Sequence, residues 1–332
     1  MTESQENKKK SLRLGIVPAP HIREALTLPR MMWYTFLALL FPSAAGVFFF
    51  GIQALLLIAV CVTAAVLSEA AVLKLRNSEV KKSSGIRDGS AAVTGLLMAL
   101  ILPPSFPLWA GAMGSVFAIV VVKHVSGGLG RNIFNPALMG RAVLTAAFPI
   151  LITTYAIQHR QVTGYTAVSS ATPLARAKFE GERLTVRERF VPYLIGEKRG
   201  STGETSPLLI IIGLFVLLYT KTADWRLPSS FFLSVFLFSG LFWIFSPETS
   251  VNPLLALLTG SVFLGGTYMV TDPVTTPVSP SGKMIFGLGA GMIVVLIRQL
   301  SGYPEGVMFS ILLMNAVTPL INRRTAPRVY GT

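Results

Sequence analysis

MMWYTFLALLFPSAAGVFFFGIQALLLIAVCVTAAVLSEAAVL, residues 31–73, holds one carboxylate, Glu69, and no basic side chain. A single bilayer crossing takes about 20 apolar residues, so the stretch is too long for one. Gly51 divides it into two runs of the right length, about Met31 to Phe50 and Ile52 to Leu73. The turn at Gly51 carries no charge, whereas Lys8, Lys9, Lys10, Arg13, Arg23 and Arg30 precede the stretch and Lys74, Arg76, Lys81, Lys82 and Arg87 follow it. Lys and Arg collect on the cytoplasmic side of membrane helices, and this distribution predicts a helical hairpin with both ends in the cytoplasm. Residues 1–30 have no apolar core followed by a small-residue cleavage site and read as a cytoplasmic tail.

The whole composition agrees with the hairpin. Of 332 residues, 52% are hydrophobic and 13% charged, and the mean hydropathy is +0.61. A net charge of +14 on a soluble protein would suggest nucleic acid. Here the basic residues sit in short segments between apolar runs, where they act as orientation signals, and no nucleic-acid partner is expected. Cys61 is the only cysteine, which excludes an intrachain disulfide and a thiolate metal cluster. His21, His124 and His159 show no ligand spacing, so no metal is expected.

Outward from the hairpin, the third span, about Ser90 to Leu102, stops at Pro103-Pro104, and the fourth, about Leu108 to Val122, returns to Lys123-His124. Asn135-Pro136 opens the fifth, with Asn as N-cap and Pro in the first turn, and Phe148-Pro149 ends it. A long loop, 151–206, carries eight basic and five acidic residues. Spans six (Pro207 to Thr220), seven (Ser229 to Phe245) and eight (Asn252-Pro253 to Val270) follow. After Thr271-Asp272-Pro273 come spans nine (Met284 to Ile297) and ten (Gly306 to Ile321). The expected fold is an all-α integral membrane protein of about ten transmembrane helices. Its parts are a cytoplasmic tail 1–30, helices 1–5 over 31–150, an extracytoplasmic loop 151–206, helices 6–10 over 207–322, and a cytoplasmic tail 323–332. Five spans per half, each half with its Asn-Pro opening, predict two inverted repeats. The short spans broken by Gly and Pro leave backbone groups free inside the membrane, which is tolerated only where protein or ligand satisfies them. A polar ligand inside the protein is therefore expected.

Asn132 and Asn135 stand three apart where the chain enters a helix, so both amides can face one ligand, although Asn135 alone also reads as a cap. Asp272, taken alone, reads as a cap for the turn at Pro273. Glu69 and Arg298 lie near span ends, from where a charged head can reach water. In the loop, Ser169-Ser170-Ala171-Thr172-Pro173-Leu174 is ordinary turn composition when taken alone. No Gly-x-Gly-x-x-Gly follows a strand, and no soluble domain is present to hold a nicotinamide.

Three runs taken together carry more. Gly127-Gly128-Leu129-Gly130-Arg131-Asn132-Ile133-Phe134-Asn135-Pro136-Ala137-Leu138, Ser170-Ala171-Thr172-Pro173-Leu174 and Tyr268-Met269-Val270-Thr271-Asp272-Pro273-Val274 resemble the RnfD/NqrB family in the family's order. These are the flavin-bearing membrane subunits of the Rnf and sodium-pumping NADH:quinone oxidoreductase complexes. The resemblance runs from about Pro20 to Arg324 and is nearer to the RnfD type, since only about thirty residues precede the first span.

The resemblance implies FMN joined by a phosphoester to Thr172 within Ser170-Ala171-Thr172-Pro173. The acidic residue common six positions upstream in the family is Thr166 here. It also implies a second, noncovalent riboflavin near Asn132 and Asn135, with Asp272 as partner. Arg141, a charge inside a span one turn past Asn135-Pro136, reads as a partner for a flavin carbonyl or for a carboxylate such as Asp88. The chemistry suits the residues: a threonine hydroxyl accepts a phosphoryl group, Ala171 keeps the approach open, and Pro173 fixes the backbone. A tether holds a cofactor that no pool of free FMN would replace outside the cytoplasm.

The implied function is electron relay between ferredoxin and NAD branches, coupled to Na⁺ or H⁺ translocation across the bacterial inner membrane. The chain would have no complete active site of its own. Implied partners are Rnf subunits of the A, B, C, E and G types, a flavin transferase for maturation, and membrane lipid. The rival readings are an NqrB-like quinone-reductase subunit, a flavin-free solute channel or transporter, and a membrane anchor.

Overall fold

The computed structural model describes residues 26–75, 87–155, 172–181, 185–247, 250–303 and 305–326, and every element among them is helical. Thr166, Ser170 and Ala171 lie outside the described residues. The first half consists of α1 (Leu28–Phe50), α2 (Ile52–Leu75), α3 (Ser90–Ile101), α4 (Leu108–Phe117, continuing as a π-helix over Ala118–Val125), α5 (Pro136–Ala147) and the short α6 (Pro149–Thr153). The connection carries α7 (Pro173–Ala175, continuing as a π-helix over Arg176–Glu180) and α8 (Val186–Ile195). The second half consists of α9 (Pro207–Tyr219), α10 (Arg226–Phe245), α11 (Pro253–Leu258), α12 (Val262–Leu264, continuing as a π-helix over Gly265–Met269), α13 (Pro280–Leu300) and α14 (Val307–Thr325).

Five of these helices, α1, α2, α4, α10 and α13, are long and apolar enough to cross a membrane, and α3 and α9 are apolar but shorter. Each expected span falls on a helical segment. Several helices start for the same local reason: a side chain one residue before a proline accepts backbone N–H bonds from the first turn. Asn135, Thr172, Ser206, Asn252 and Ser279 do this for α5, α7, α9, α11 and α13.

Three features differ from the sequence reading. The fourth span continues to Val125, so Lys123 and His124 lie inside it and are buried. The eighth span is two pieces, α11 and α12, parted at Thr259–Ser261, where Gly260 and Ser261 both have positive φ (65° and 59°). The long loop contains helices, and Thr185 hydrogen-bonded to Glu188 at 2.8 Å marks the start of α8.

The packing repeats. In the first half α2 packs on α3 and α4, α4 on α5, and α1 on α3. In the second half α10 packs on α11 and α13, α13 on α14, and α9 on α12. The third member of each half also carries matched residues: Gly89-Ser90, Gly95 and Met98 in α3, and Gly260-Ser261, Gly266 and Met269 at α12. Gly89 and Gly260 both sit at positive φ, 76° and 65°, immediately before the helix. A Cβ on Gly95 would lie 2.7 Å from the α2 backbone at Cys61 and Val62, and one on Gly266 would lie 2.7 Å from Phe231 and Phe232 of α10. Each glycine therefore lets the third helix of its half close on the second. The Asn-Pro pairs, by contrast, open α5 and α11, which are not equivalent places in the repeat.

Asp224, in the turn between α9 and α10, ties that turn to the start of α13 through Lys283 Nζ at 2.9 Å and accepts from Arg226 Nη1 at 3.3 Å. Burial favours its neutral form, but the Lys283 bond, the Arg226 N–H and the two positive charges outweigh this and hold the carboxyl below its usual 3.8. A depressed acid pKa contributes stability above the unfolded value that is lost as pH falls through the folded one. Asp224→Asn is expected to lower the unfolding free energy by about 0.5–1 kcal/mol at neutral pH. The gap from the parent should close below about pH 4, as read by thermal unfolding in detergent.

Candidate functional site

At the N-terminal end of α3 the two halves enclose a small cavity of about 50 Å³, partly open to solvent. Ser90, Lys123, Asn132, Asn135, Tyr268 and Asp272 are among the side chains that line it. The sequence reading placed Asn132, Asn135 and Asp272 together, and the structure does bring them to one cavity. Asn135 caps its helix, as one of its two readings has it, and also reaches the other half of the protein. Its Oδ1 caps α5 by accepting from Ala137 N at 3.1 Å and Leu138 N at 3.3 Å, while its Nδ2 donates to Asp272 Oδ2 at 3.1 Å. Asp272 likewise caps its own turn, accepting from Val274 N at 3.1 Å. Asn132 Nδ2 donates to the Phe134 carbonyl at 3.1 Å, but its Oδ1 is buried and has no donor among the described residues. One amide oxygen therefore faces the cavity unsatisfied.

Beside this cavity lies a buried ion pair. Lys123 Nζ donates to Glu69 Oε1 and to Ser90 Oγ, both at 2.6 Å, and Ser90 Oγ in turn donates to Asp88 Oδ1 at 2.5 Å. His124 Nε2 stands 3.6 Å from Glu69 Oε1, and Glu69 Oε2 has no hydrogen-bond partner among the described residues. Glu69 is 2% exposed, so it does not reach water as the sequence suggested. A lysine on the neighbouring span removes the need, because a paired charge inside the protein is less costly than an unpaired one.

A second polar group gathers at the opposite end of α3. The connection before α9 docks on its C-terminal carbonyls: Gly203 N donates to Leu100 O at 2.8 Å and Thr202 N to Leu102 O at 3.0 Å. Next to it, Glu204 accepts from Ser201 Oγ at 3.1 Å and from Ser261 Oγ. Arg298 does not extend to water either. Its Nη1 donates to Ala256 O at 2.8 Å, and its Nη2 donates to Thr259 O at 2.8 Å and Gly260 O at 3.0 Å. Those are the carbonyls exposed by the break between α11 and α12. Arg141 pairs with Glu305, not with Asp88: its Nη2 donates to Glu305 Oε2 at 3.4 Å, and Tyr155 donates to Glu305 Oε1 at 3.4 Å. Asp88 is held instead at the head of α3.

Thr172 lies at this second end, 4% exposed, and its Oγ1 accepts from Ala175 N at 3.2 Å. Among the described residues no acceptor takes its hydroxyl hydrogen. Its helix is fastened to the end of α13 by Lys178, whose Nζ donates to the carbonyls of Arg298 at 2.5 Å, Tyr303 at 3.1 Å and Ser301. Thr172 is thus separate from the Asn132 cavity. The 12 residues of α3 lie between the two ends, about 18 Å at 1.5 Å per residue. Lys123, Lys178, Glu204 and Glu305 were missed in the sequence; only Lys123, directly after an apolar run and before His124, left any local trace.

The sequence model of the NQR2, RnfD, RnfE family matches residues 16–331. The chain is 40% identical over 326 residues to the D-type member of the proton-translocating ferredoxin:NAD(+) oxidoreductase complex of Clostridium ljungdahlii, covering 96% of each protein. It is 38% identical to the D-type member of the Na(+)-translocating ferredoxin:NAD(+) oxidoreductase complex of Acetobacterium woodii, again over 96% of each. It is 37% identical to the D-type member of the ion-translocating oxidoreductase complex of Escherichia coli, over 95% of this chain and 98% of that protein.

The buried pair makes a direct prediction. Lys123→Met alone strands Glu69 in an apolar interior and should cost about 3–5 kcal/mol. Lys123→Met with Glu69→Gln should recover most of that loss. Thermal unfolding of the two variants in detergent checks both, and equal losses would show that the pair does not act as a unit.

Proposed function

The chain belongs to the NQR2, RnfD, RnfE family, and from that membership we propose that it is the D-type flavoprotein component of an Rnf-type ion-translocating ferredoxin:NAD oxidoreductase complex. The observation that carries the reading is the identity of 37–40% to the D-type members of three such complexes along nearly the whole chain. In this reading the protein sits in the bacterial inner membrane, with Thr172 on the extracytoplasmic side and the Asn132 cavity toward the cytoplasm. Its partners are the other Rnf components and a flavin transferase. The translocated ion is H⁺ or Na⁺, the two ions named in its relatives.

Both flavin positions are proposals argued from the chemistry of the residues, and the Asn132 cavity, about 50 Å³, must widen to admit a ring. A phosphoester on Thr172 replaces the hydroxyl hydrogen that no described residue accepts and leaves the oxygen able to take the Ala175 N–H bond. A neutral riboflavin in the Asn132 cavity would offer donors to Asn132 Oδ1, which lacks one among the described residues. Bound flavins supply one-electron relay. The protein's part is to hold them: Asn135 and Asp272 lock the two halves across the cavity floor, and Pro173 and the Thr172 cap fix the start of α7.

The covalent position is tested by in-gel flavin fluorescence of the denatured chain from cells that contain the flavin transferase. A fluorescent band at the mass of the chain is expected in the wild type and absent in Thr172→Ala, with Thr172→Ser retaining an acceptor hydroxyl. A dark wild-type band would sink the reading.

For the second flavin, Asn132→Ala is expected to lower the riboflavin released by acid extraction of the purified complex while the covalent band stays. Unchanged release would remove Asn132 from the site.

A further inference from the structure

α14 carries an amide near its middle, Asn315, which is fully buried. A polar side chain in such a place is costly unless its groups find partners. The amide orientation that satisfies both neighbours has Nδ2 donating to Ile311 O at 3.3 Å, within α14, and Oδ1 accepting from Asn135 N at 3.1 Å, in the other half. Three residues on, and so on the same face, Thr318 Oγ1 donates to Thr275 O at 3.1 Å, in the turn that Asp272 caps. Both bonds leave α14 for the backbone of the loops that carry Asn135 and Asp272.

The first bond has the longer reach. Asn135 N and Phe134 O are the two polar ends of one planar peptide unit, so fixing one fixes the other. That carbonyl accepts from Asn132 Nδ2 at 3.1 Å. Asn132 Oδ1, on the same amide, is the buried acceptor with no donor among the described residues. Three links therefore run from α14 to the cavity: Asn315 Oδ1, the Phe134–Asn135 peptide and the Asn132 amide. Asn135 leaves little slack, since its carbonyl accepts from Met139 N at 3.0 Å, its Oδ1 caps α5 and its Nδ2 holds Asp272. Without the Asn315 oxygen the Asn135 N–H loses its acceptor, and a rotation of the peptide in search of another carries Phe134 O away from Asn132.

We infer that Asn315 is a positioning residue for this cavity: it holds the Phe134–Asn135 peptide and, through it, the aim of Asn132 Oδ1 at the ligand. The inference rests on the proposed riboflavin beside Asn132 and adds the residue of the other half that orients its contact. A buried asparagine that only joined two membrane helices would bond from one helix to the next. Asn315 bonds the N-cap residue of α5 at its backbone, so its loss reaches the ligand contact before it reaches the packing of the spans.

The experiment uses the purified complex, depleted of noncovalent flavin and refilled by titration with riboflavin, for Asn132→Ala, Asn315→Leu, Asn315→Asp and the double variant Asn132→Ala with Asn315→Leu. Asn315→Leu is expected to raise the half-saturating riboflavin concentration about tenfold, the worth of one neutral hydrogen bond. Asn315→Asp keeps an oxygen for the Asn135 N–H and should recover most of the affinity. The double variant should bind no worse than Asn132→Ala alone, because the change at Asn315 acts only through Asn132. If Asn315→Leu does not assemble, Asn315→Ser takes its place in every comparison, since a serine hydroxyl is satisfied on Ile311 O within α14 and is too short to reach Asn135. Parental affinity in the Asn315 variant, or losses that add in the double variant, overturn the positioning role while leaving Asn132 in the site. Parental affinity in Asn132→Ala overturns the site and the role together.

Discussion

A helix that stops inside a membrane leaves carbonyl oxygens with no water to bond, and each must find a donor within the protein. The break between α11 and α12 meets this demand with a single guanidinium: Arg298 bonds the carbonyls of Ala256, Thr259 and Gly260. Arg suits the task because its rigid fork presents several donors at once and stays charged where a lysine would lose its proton. Much of the second half follows from this contact. With the carbonyls occupied, Gly260 and Ser261 can hold positive φ, α12 can start afresh, and Asp272 at its far end arrives opposite Asn135.

The first half solves the corresponding problem with different chemistry. Lys123 is the third residue from the end of α4, as Arg298 is from the end of α13, and each reaches the head of the third helix of its half. At α3 there is no preceding half-helix to satisfy, and the lysine turns to Ser90 and Glu69 instead. The two junctions therefore differ in the partner that the basic side chain takes. Among the described residues, Lys123 meets the carboxylate of Glu69 at one end of α3, whereas Arg298 meets backbone carbonyls at the other. A duplicated scaffold thus presents a salt-bridged junction and a carbonyl-bound one at opposite ends of the same helix.

The spans and their starts were legible because their causes are local. A run of apolar residues sets each crossing, and Asn or Ser before Pro sets each cap. The constellation of Asn132, Asn135 and Asp272 was legible through motif resemblance, not through spacing, since Asn135 and Asp272 stand 137 positions apart. Lys123 escaped because a lone lysine ends an apolar run in the same way whether it faces water or a carboxylate 54 residues earlier. Arg141 stands out in the sequence as a charge within a span, but its true carboxylate, Glu305, lies 164 positions away and nothing local points to it. The Asn-Pro pairs suggest a repeat without occupying equivalent places in it. Its real trace, Gly-Ser followed by Gly and Met at fixed spacing in α3 and α12, is too sparse to stand out before the packing aligns it.

The shortness of α3 has a consequence for voltage. A bilayer's hydrocarbon is about 30 Å thick, but polar junctions at both ends of a 12-residue helix leave roughly 18 Å of low-dielectric protein between them. A membrane potential that falls mainly over this shorter distance gives a proportionately steeper field along α3. A single charge passing from one junction to the other then traverses most of the potential, at about 2.3 kcal/mol for each 100 mV. Any electron or ion moved between these two ends is thereby coupled to the membrane voltage by the length of one helix.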